Sequence, residues 1–328
     1  MKVLVTGAAG FIGSHVCERL LADGNEVIGV DALTEYYPRN RKVQNLRVAL
    51  ASDRFRFMEL DLRTADLTPM LADVECVVHE AAMPGLPLSW SDIDGYASCN
   101  VVATARVLDA SVKAGVRRFV HASTSSVYGR NAVGDETMPR VPVSPYGITK
   151  LAAEHLAMAY MGAHGLPVVI LRYFSVFGPR QRPDMAYHIF IERMRRGEPI
   201  TVFGDGSQTR SNTYIADCVD GTVLAMADGE PGEAYNLGGA AAVSLREVID
   251  IIGAKLGVEP TIAFAPGRLG DQTDTAADFQ KAERAFGYQP TTDINDGLAA
   301  QVAWHLEHIP LDPDGPTPNR SVSPNPER

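Results

Sequence analysis

Lys2–Thr6 is almost continuously apolar, the pattern of a strand covered on both faces. After a glycine-rich break, Phe11–Ala22 reads as a helix, which Asp23-Gly24-Asn25 closes. Glu26–Asp31, Arg54–Glu59 and Cys76–Glu80 predict the second, third and fourth strands. Arg118–Ser123 and Val168–Arg172 predict the fifth and sixth. Asn100–Ala114, ended by Gly115, and Gly147–His164 predict helices between them. This alternation argues for an α/β fold with a Rossmann-type, doubly wound parallel sheet.

The pattern loosens after Arg172, where glycine and proline become frequent. Helices are expected at about Tyr187–Arg196 and Leu245–Leu256, the second opened by a capping box of Ser244 and Glu247. The expected organisation is a dinucleotide-binding domain over 1–172 and a smaller C-terminal substrate-binding domain over 173–310. The second is expected to lie on the carboxyl edge of the sheet and to interleave with the first. Residues 311–328, rich in Pro, Asn and Ser, are expected to form a disordered tail.

Composition narrows the function classes. The 328 residues are 45% hydrophobic and 21% charged, an ordinary globular balance. No apolar run approaches the ~18 residues of a membrane span, and the N-terminus is too quickly broken by glycine for a signal peptide. A cytoplasmic protein without a membrane partner is expected. A net charge of −10 argues against nucleic acid as a partner, although a local arginine cluster can still hold a small anion. Cys17, Cys76, Cys99 and Cys218 are scattered without a CxxC and are expected as reduced thiols. His305 and His308 are spaced i, i+3 but lack a third ligand nearby, so no metal site is expected. His79 and His121 are expected as satisfied core residues, and Trp90 and Trp304 as packing residues.

Thr6-Gly7-Ala8-Ala9-Gly10-Phe11-Ile12-Gly13 joins the first strand to the first helix. A glycine-rich loop there lets backbone approach a pyrophosphate at the N–H groups of a helix start. Asp31 ends the second strand, where a carboxylate accepts from both ribose hydroxyls and repels a 2′-phosphate, which predicts NAD. Asp61 and Leu62 would flank the adenine, and Ala81 and Ala82 are small enough for the cofactor to pass closely.

Tyr146 and Lys150 are four residues apart and share one helical face. A phenol is a poor base at neutrality. A neighbouring ammonium and an oxidised nicotinamide would lower its pKa and let it exchange a proton with a sugar hydroxyl. Ser123-Thr124-Ser125-Ser126 ends the fifth strand, where ligands bind in such sheets, and its hydroxyls can address the same oxygen.

With these three motifs in this order, residues 1–310 resemble the extended short-chain dehydrogenase/reductases that act on nucleotide sugars. The resemblance implies tightly held NAD, a UDP-sugar substrate and a homodimer. It implies Tyr146 as base and acid, Lys150 as its electrostatic partner and holder of the nicotinamide ribose, and Thr124 as a second hydroxyl on the reacting oxygen. It adds Asn100, Ser123 and Tyr173 to the cofactor site, and Pro84 to the sugar site.

Relatives of this kind share oxidation at C4 and then diverge in the fate of the keto sugar. Dehydratases carry Asp-Glu where this chain has Ser125-Ser126, and decarboxylases carry Glu at the second position. Two hydroxyls leave rotation of the 4-keto sugar and return of hydride as the simplest fate, which is 4-epimerisation. Arg180-Gln181-Arg182-Pro183-Asp184-Met185-Ala186 resembles UDP-glucuronate 4-epimerases, and UDP-galactose 4-epimerases usually show asparagine where Ser175 stands. Arg182, with Arg180 as second choice, is the expected partner of a sugar carboxylate. Ser125, Ser126, Ser175 and Arg182 would hold that carboxylate out of the alignment that expels carbon dioxide. Pro87 stands where these epimerases often carry arginine. At the nucleotide end, Val202 and Phe203 match the stretch whose backbone reads uracil. Arg210 and Arg268 match diphosphate-clamping arginines, and Asp271 is placed to accept from ribose hydroxyls. The alternatives are a UDP-glucose or UDP-N-acetylglucosamine 4-epimerase, a UDP-glucuronate decarboxylase, and a non-catalytic NAD-binding sensor.

Overall fold

The computed structural model describes residues 1–267 and 272–311. Its centre is an all-parallel sheet of β1 (Lys2–Thr6), β2 (Glu26–Asp31), β3 (Phe55–Glu59), β4 (Cys76–His79), β5 (Arg118–Thr124), β6 (Val168–Tyr173) and β7 (Ala234–Leu237). The order across the sheet is β7-β6-β5-β4-β1-β2-β3. The direction of winding reverses between β1 and β4, and the crevice at their carboxyl ends is where such sheets bind ligands. The longer helices are α1 (Phe11–Ala22), α2 (Ala103–Ala114), α3 (Pro145–His164), α4 (Ala186–Arg195), α5 (Ile215–Asp228), α6 (Leu245–Leu256) and α7 (Ile294–His308).

Strand alternation divides the core between the two faces of the sheet. Val3 and Val5 join Val16 and Leu20 of α1 and Cys218, Val219 and Met226 of α5. Leu4 turns to the opposite face, with Val107 and Leu108 of α2 and Ala157 of α3. A third core holds Phe190 and Ile191 of α4, Val248 and Ile249 of α6, and Leu298 and Val302 of α7.

Local chemistry sets the helix ends that matter for function. Ser144 accepts a hydrogen bond from the Gly147 N–H at 3.1 Å, and Pro145 takes the first turn, so α3 starts two residues before the expected Gly147. Ser244 and Glu247 form the expected capping box on α6. The helix expected over 100–114 is instead a short helix at Ile93–Ala97, a π turn at Ser98–Val102, and α2. β7 is not evident in the apolar pattern, because it is four residues long and includes Asn236, a polar side chain that accepts from the Tyr128 hydroxyl at 2.7 Å. Thus the sheet and the helices on its first face both include residues beyond 173. Trp90 is 54% exposed, so it does not fill the core as expected. Of the expected tail, 312–328 lie outside the described residues, as do Arg268 and Asp271.

Candidate active site

Two adjoining cavities open over the carboxyl ends of the strands. The first has a volume of about 660 Å³ and runs from Asp31, Asp61 and Leu62 past Gly7, Gly10 and Gly13 to Tyr146 and Lys150. The second, about 390 Å³, reaches from Thr124, Ser125 and Ser126 past Ser175 to Phe203 and Arg210. Tyr36, Leu88, Tyr173 and Arg182 line both.

The first cavity fits a dinucleotide. Gly7 has φ +69°, and a Cβ there would stand 2.9 Å from the Ala81 nitrogen. A Cβ on Gly13 would stand 2.2 Å from the Gly7 carbonyl oxygen. Both glycines are therefore required by close backbone approach, and the approach leaves an open groove at the start of α1. Phe11, Ile12, Ala81, Ala82, Pro84 and Ser123 also line this cavity. Asp31 accepts from the Ala9 N–H at 3.2 Å and the Leu33 N–H at 2.7 Å, with Lys42 Nζ 3.8 Å away. A carboxylate has about four acceptor positions, so this one retains capacity for hydroxyls. Asp61 is tied to Arg63 at 2.6 Å, and this hydrogen bond holds its carboxyl below the usual range.

Asn100 does not line the cavity. It is buried in the π turn, where its amide accepts from the Met83 N–H at 2.7 Å and donates to the Met83 carbonyl and to Thr149. It fixes the wall that Ala82 and Pro84 present.

Tyr146 lies in the first turn of α3, where the helix N-terminus favours an anion. Burial raises its pKa, while a hydrogen bond with Thr124 and the charge of Arg182 act in the opposite direction. The fall expected from the Lys150 ammonium together with an oxidised nicotinamide concerns the NAD-loaded site; in the protein alone burial prevails. Lys150 is one turn further into the helix, and its Nζ donates to the Ala122 carbonyl at 2.5 Å. Burial pulls the Lys150 pKa down to about 8, against the charges of Glu80 and Glu154.

Several residues at this centre have no role in the sequence motifs. Glu80 immediately precedes Ala81, and its carboxylate accepts from the Tyr173 hydroxyl at 2.6 Å. Burial pushes its pKa up to about 7, opposed by that hydrogen bond and by Lys150. Asp184 accepts from Arg182 Nε and Nη2, both at 3.0 Å, and from the Tyr36 hydroxyl at 3.2 Å. The Gln272 amide donates to the Ser125 and Gly129 carbonyls. A carboxylate directly before two alanines, and an aspartate two residues after an arginine, were the available signals.

The other expected residues divide between the cavities and the packing around them. Ser123 donates to Glu154 at 2.5 Å. Val202 is buried in the third core, and Phe203 lines the second cavity. Arg210 donates to the carbonyls of Gln272 and Thr273 on that cavity's rim. Arg180 pairs with Glu18 at 2.8 Å and lines neither cavity. His79 bonds Thr6 and Thr104 at 2.8 and 2.9 Å, but neither ring nitrogen of His121 has a hydrogen-bond partner, contrary to expectation. His305 bonds Glu192 at 2.6 Å, and His308 bonds the Trp304 carbonyl at 3.0 Å.

A family model described as the NAD dependent epimerase/dehydratase family matches residues 3–238. The chain is 44% identical over 310 residues to the uncharacterised UDP-glucose epimerase YtcB of Bacillus subtilis, covering 93% of this chain and 98% of that one. It is 41% identical to the crystal structure of UDP-glucuronic acid 4-epimerase from Bacillus cereus with UDP-glucuronic acid and NAD. That match has a TM-score of 0.90 and covers 93% and 98% of the two chains. It is also similar to MoeE5, solved with UDP-glucuronic acid and NAD and again with UDP-glucose and NAD, at 39% identity and TM-score 0.84 over 94% and 99% of the chains.

Proposed function

The chain belongs to the NAD dependent epimerase/dehydratase family, and on that premise we propose that it converts UDP-glucuronate to UDP-galacturonate by 4-epimerisation. The reaction passes through a 4-keto sugar and retains the carboxylate. NAD is the cofactor; when bound, it supplies reversible hydride uptake at C4.

The protein's residues divide the remaining work. Tyr146 takes the proton from the 4-hydroxyl and returns it after the sugar has turned. Thr124, hydrogen-bonded to that phenol, holds the same oxygen. Lys150 holds the nicotinamide ribose, fixed from behind by the Ala122 carbonyl. Gly7, Gly10, Phe11, Ile12 and Gly13 receive the diphosphate, Asp31 the adenosine ribose, and Asp61 and Leu62 the adenine. In the second cavity Phe203 and Arg210 hold the UDP end. Arg268 and Asp271 belong to the same assignment. The proposed division is a cofactor part over 1–172 and a sugar-nucleotide part over 173–310, the latter lending β7 and α5 to the sheet.

Arg182 carries the uronate reading. Among the described residues it is the cation that lines both cavities, its side chain is 19% exposed, and its charge acts on Tyr146. A planar guanidinium beside the reacting centre suits a C6 carboxylate. Ser125, Ser126 and Ser175 supply hydroxyls along the cavity and no acid. A decarboxylase or dehydratase would need an ionisable group where these serines stand. A pure sensor would have no use for Thr124, Tyr146 and Lys150 together.

One observation favours a second reading, a 4-epimerase of UDP-glucose or UDP-N-acetylglucosamine. Asp184 already sits on Arg182, and Pro87 supplies no second cation. The deciding experiment incubates the purified protein with UDP-glucuronate and no added cofactor, following sugar protons and carbon dioxide by NMR. UDP-galacturonate without UDP-pentose is expected. A UDP-pentose product would establish the decarboxylase instead. Turnover of UDP-glucose alone would establish the neutral-sugar enzyme.

The proposal includes a cytoplasmic homodimer. The cysteines are free thiols, as a reducing compartment requires. Val102 before α2 and Ile148 on α3 are 51% and 55% exposed and would be covered by a second copy. A concentration series that shows only monomer would remove the dimer.

A further inference from the structure

The guanidinium of Arg182 is already engaged by a carboxylate of its own chain. Nε donates to one Asp184 oxygen and Nη2 to the other, both at 3.0 Å. This is the bidentate geometry in which arginine binds carboxylates most firmly. Tyr36 braces the pair from a distant part of the chain. Its hydroxyl donates to Asp184 at 3.2 Å, and its ring lies 5.9 Å from the Arg182 guanidinium. Gly85, with φ +93°, leaves the room this requires, since a Cβ there would stand 2.5 Å from the Tyr36 hydroxyl oxygen. Burial favours the neutral acid at Asp184, but the charge and hydrogen bonds of Arg182 outweigh it and keep the carboxyl ionised.

The braced pair is part of the reacting centre. Tyr96 is hydrogen-bonded to Tyr36, and its ring meets the Tyr146 ring edge-on at 6.3 Å. Asp184 itself lines the second cavity. A sugar carboxylate that approaches Arg182 therefore also approaches a second negative charge. A neutral hydroxymethyl group meets no such repulsion. Burial strengthens this contrast, because charges in a partly enclosed site are weakly screened.

We propose that Asp184 is a specificity-determining residue. It offsets the Arg182 cation and so allows a neutral hexose to compete with a uronate for the second cavity. The proposal rests on the nucleotide-sugar reading of that cavity and specifies its preference at C6.

The test measures two UDP-sugars on the NAD-loaded protein. Values of kcat/KM for UDP-glucuronate and UDP-glucose are compared in the wild type, Asp184→Asn and Asp184→Glu. Dissociation constants for the same ligands are measured by calorimetry in a Tyr146→Phe background, where turnover is blocked. Asparagine keeps an oxygen for Arg182 and Tyr36 but removes the charge. The uronate-to-glucose preference should rise by about tenfold or more in Asp184→Asn, through KM and Kd for the uronate, with UDP affinity unchanged. Asp184→Glu, which keeps the charge, should stay within about threefold of wild type.

An unchanged or reduced preference in Asp184→Asn would overturn the proposal, as would an equal rise in both variants. If Asp184→Asn does not fold, Asp184→Ser removes the same charge and is judged by the same ratio. Failure of the wild type to turn over either sugar would defeat the epimerase reading, and the calorimetric ratio would still decide the role of Asp184.

Discussion

Arg172 and Glu154 form a two-pronged ion pair at the back of the active site. Arg172 Nε and Nη2 donate to the two Glu154 oxygens at 3.0 and 2.8 Å, and the side chains are only 2% and 3% exposed. Glu154 lies one turn after Lys150 on α3, and Arg172 lies beside Ser123 in the β5–β6 register. Ser123 and Tyr128 complete the group, with Ser123 donating to Glu154 and Arg172 donating to the Tyr128 hydroxyl at 2.8 Å. The pair therefore fixes the helix that carries Tyr146 and Lys150 against the strand end that carries Thr124.

Breaking the pair from one side leaves a buried charge alone. Arg172→Leu should lower stability by about 3–5 kcal/mol in denaturant unfolding. Glu154→Gln in the same background should recover part of that loss, because it removes the uncompensated carboxylate. A loss below about 1 kcal/mol would place the pair among those that contribute little.

Tyr146 and Thr124 make a paired prediction. Tyr146→Phe should retain bound NAD, read by absorbance of the released nucleotide, and lose turnover by about a hundred- to ten-thousandfold. Thr124→Val removes the hydrogen bond that opposes the effect of burial on the phenol. The phenol pKa then rises, so a rate limited by phenolate should move its rising limb to higher pH. A pH–rate profile unchanged in Thr124→Val would detach Thr124 from the phenol.

Arg182→Ala tests the carboxylate assignment. It should raise KM for UDP-glucuronate, and a fraction of turnovers should release carbon dioxide because the C6 carboxylate is no longer held out of alignment. Unchanged affinity and an unchanged product mixture would transfer the assignment to other residues.

Glu80 gives a pH signature to the ligand-free protein. Its folded pKa stands at about 7, above its ordinary value of 4.5, so the folded state binds the extra proton between those values. Its contribution to stability is fully present below pH 4.5 and is lost as pH rises through 7. Between pH 5 and 8, Tm of the wild type should fall relative to Glu80→Gln by a few degrees. Parallel Tm curves would show that Glu80 does not titrate in this window.

Contact range decides which features are legible in the sequence. Gly7, Gly10 and Gly13, the Ser244–Glu247 capping box and the Tyr146–Lys150 spacing are local, so each is visible within a few residues. β7 is hidden because it is short and contains Asn236. Asp184 has a local cue in Arg182 two residues before it, but Tyr36 is 148 positions away and meets it only after folding, so Tyr36 has no local signature. The same holds for Asn100, which belongs to a π turn that no apolar period announces. Lys150 shares a helical face with Tyr146, yet the helix start places it deeper, at the Ala122 carbonyl. Spacing identifies the shared face, while the Ala122 carbonyl that fixes the ammonium comes from a strand 28 positions away.

His121 is the remaining departure, and its energetics predict a gain from substitution. It lies fully buried in β5, its ring stacked on His79 at a centroid distance of 5.7 Å, with neither nitrogen hydrogen-bonded. Burial, Lys150 and His79 all disfavour the charged ring and hold its pKa well below the usual value. A neutral imidazole still carries one donor and one acceptor, and each unpaired polar group costs about 1–3 kcal/mol when buried. Leucine is close in size and has no polar atom to desolvate. His121→Leu should therefore raise Tm by a few degrees while NAD content and turnover stay near wild type. A Tm lowered by several degrees would show that the imidazole makes a favourable interaction, and the alignment of β5 with His79 would then be where to locate it.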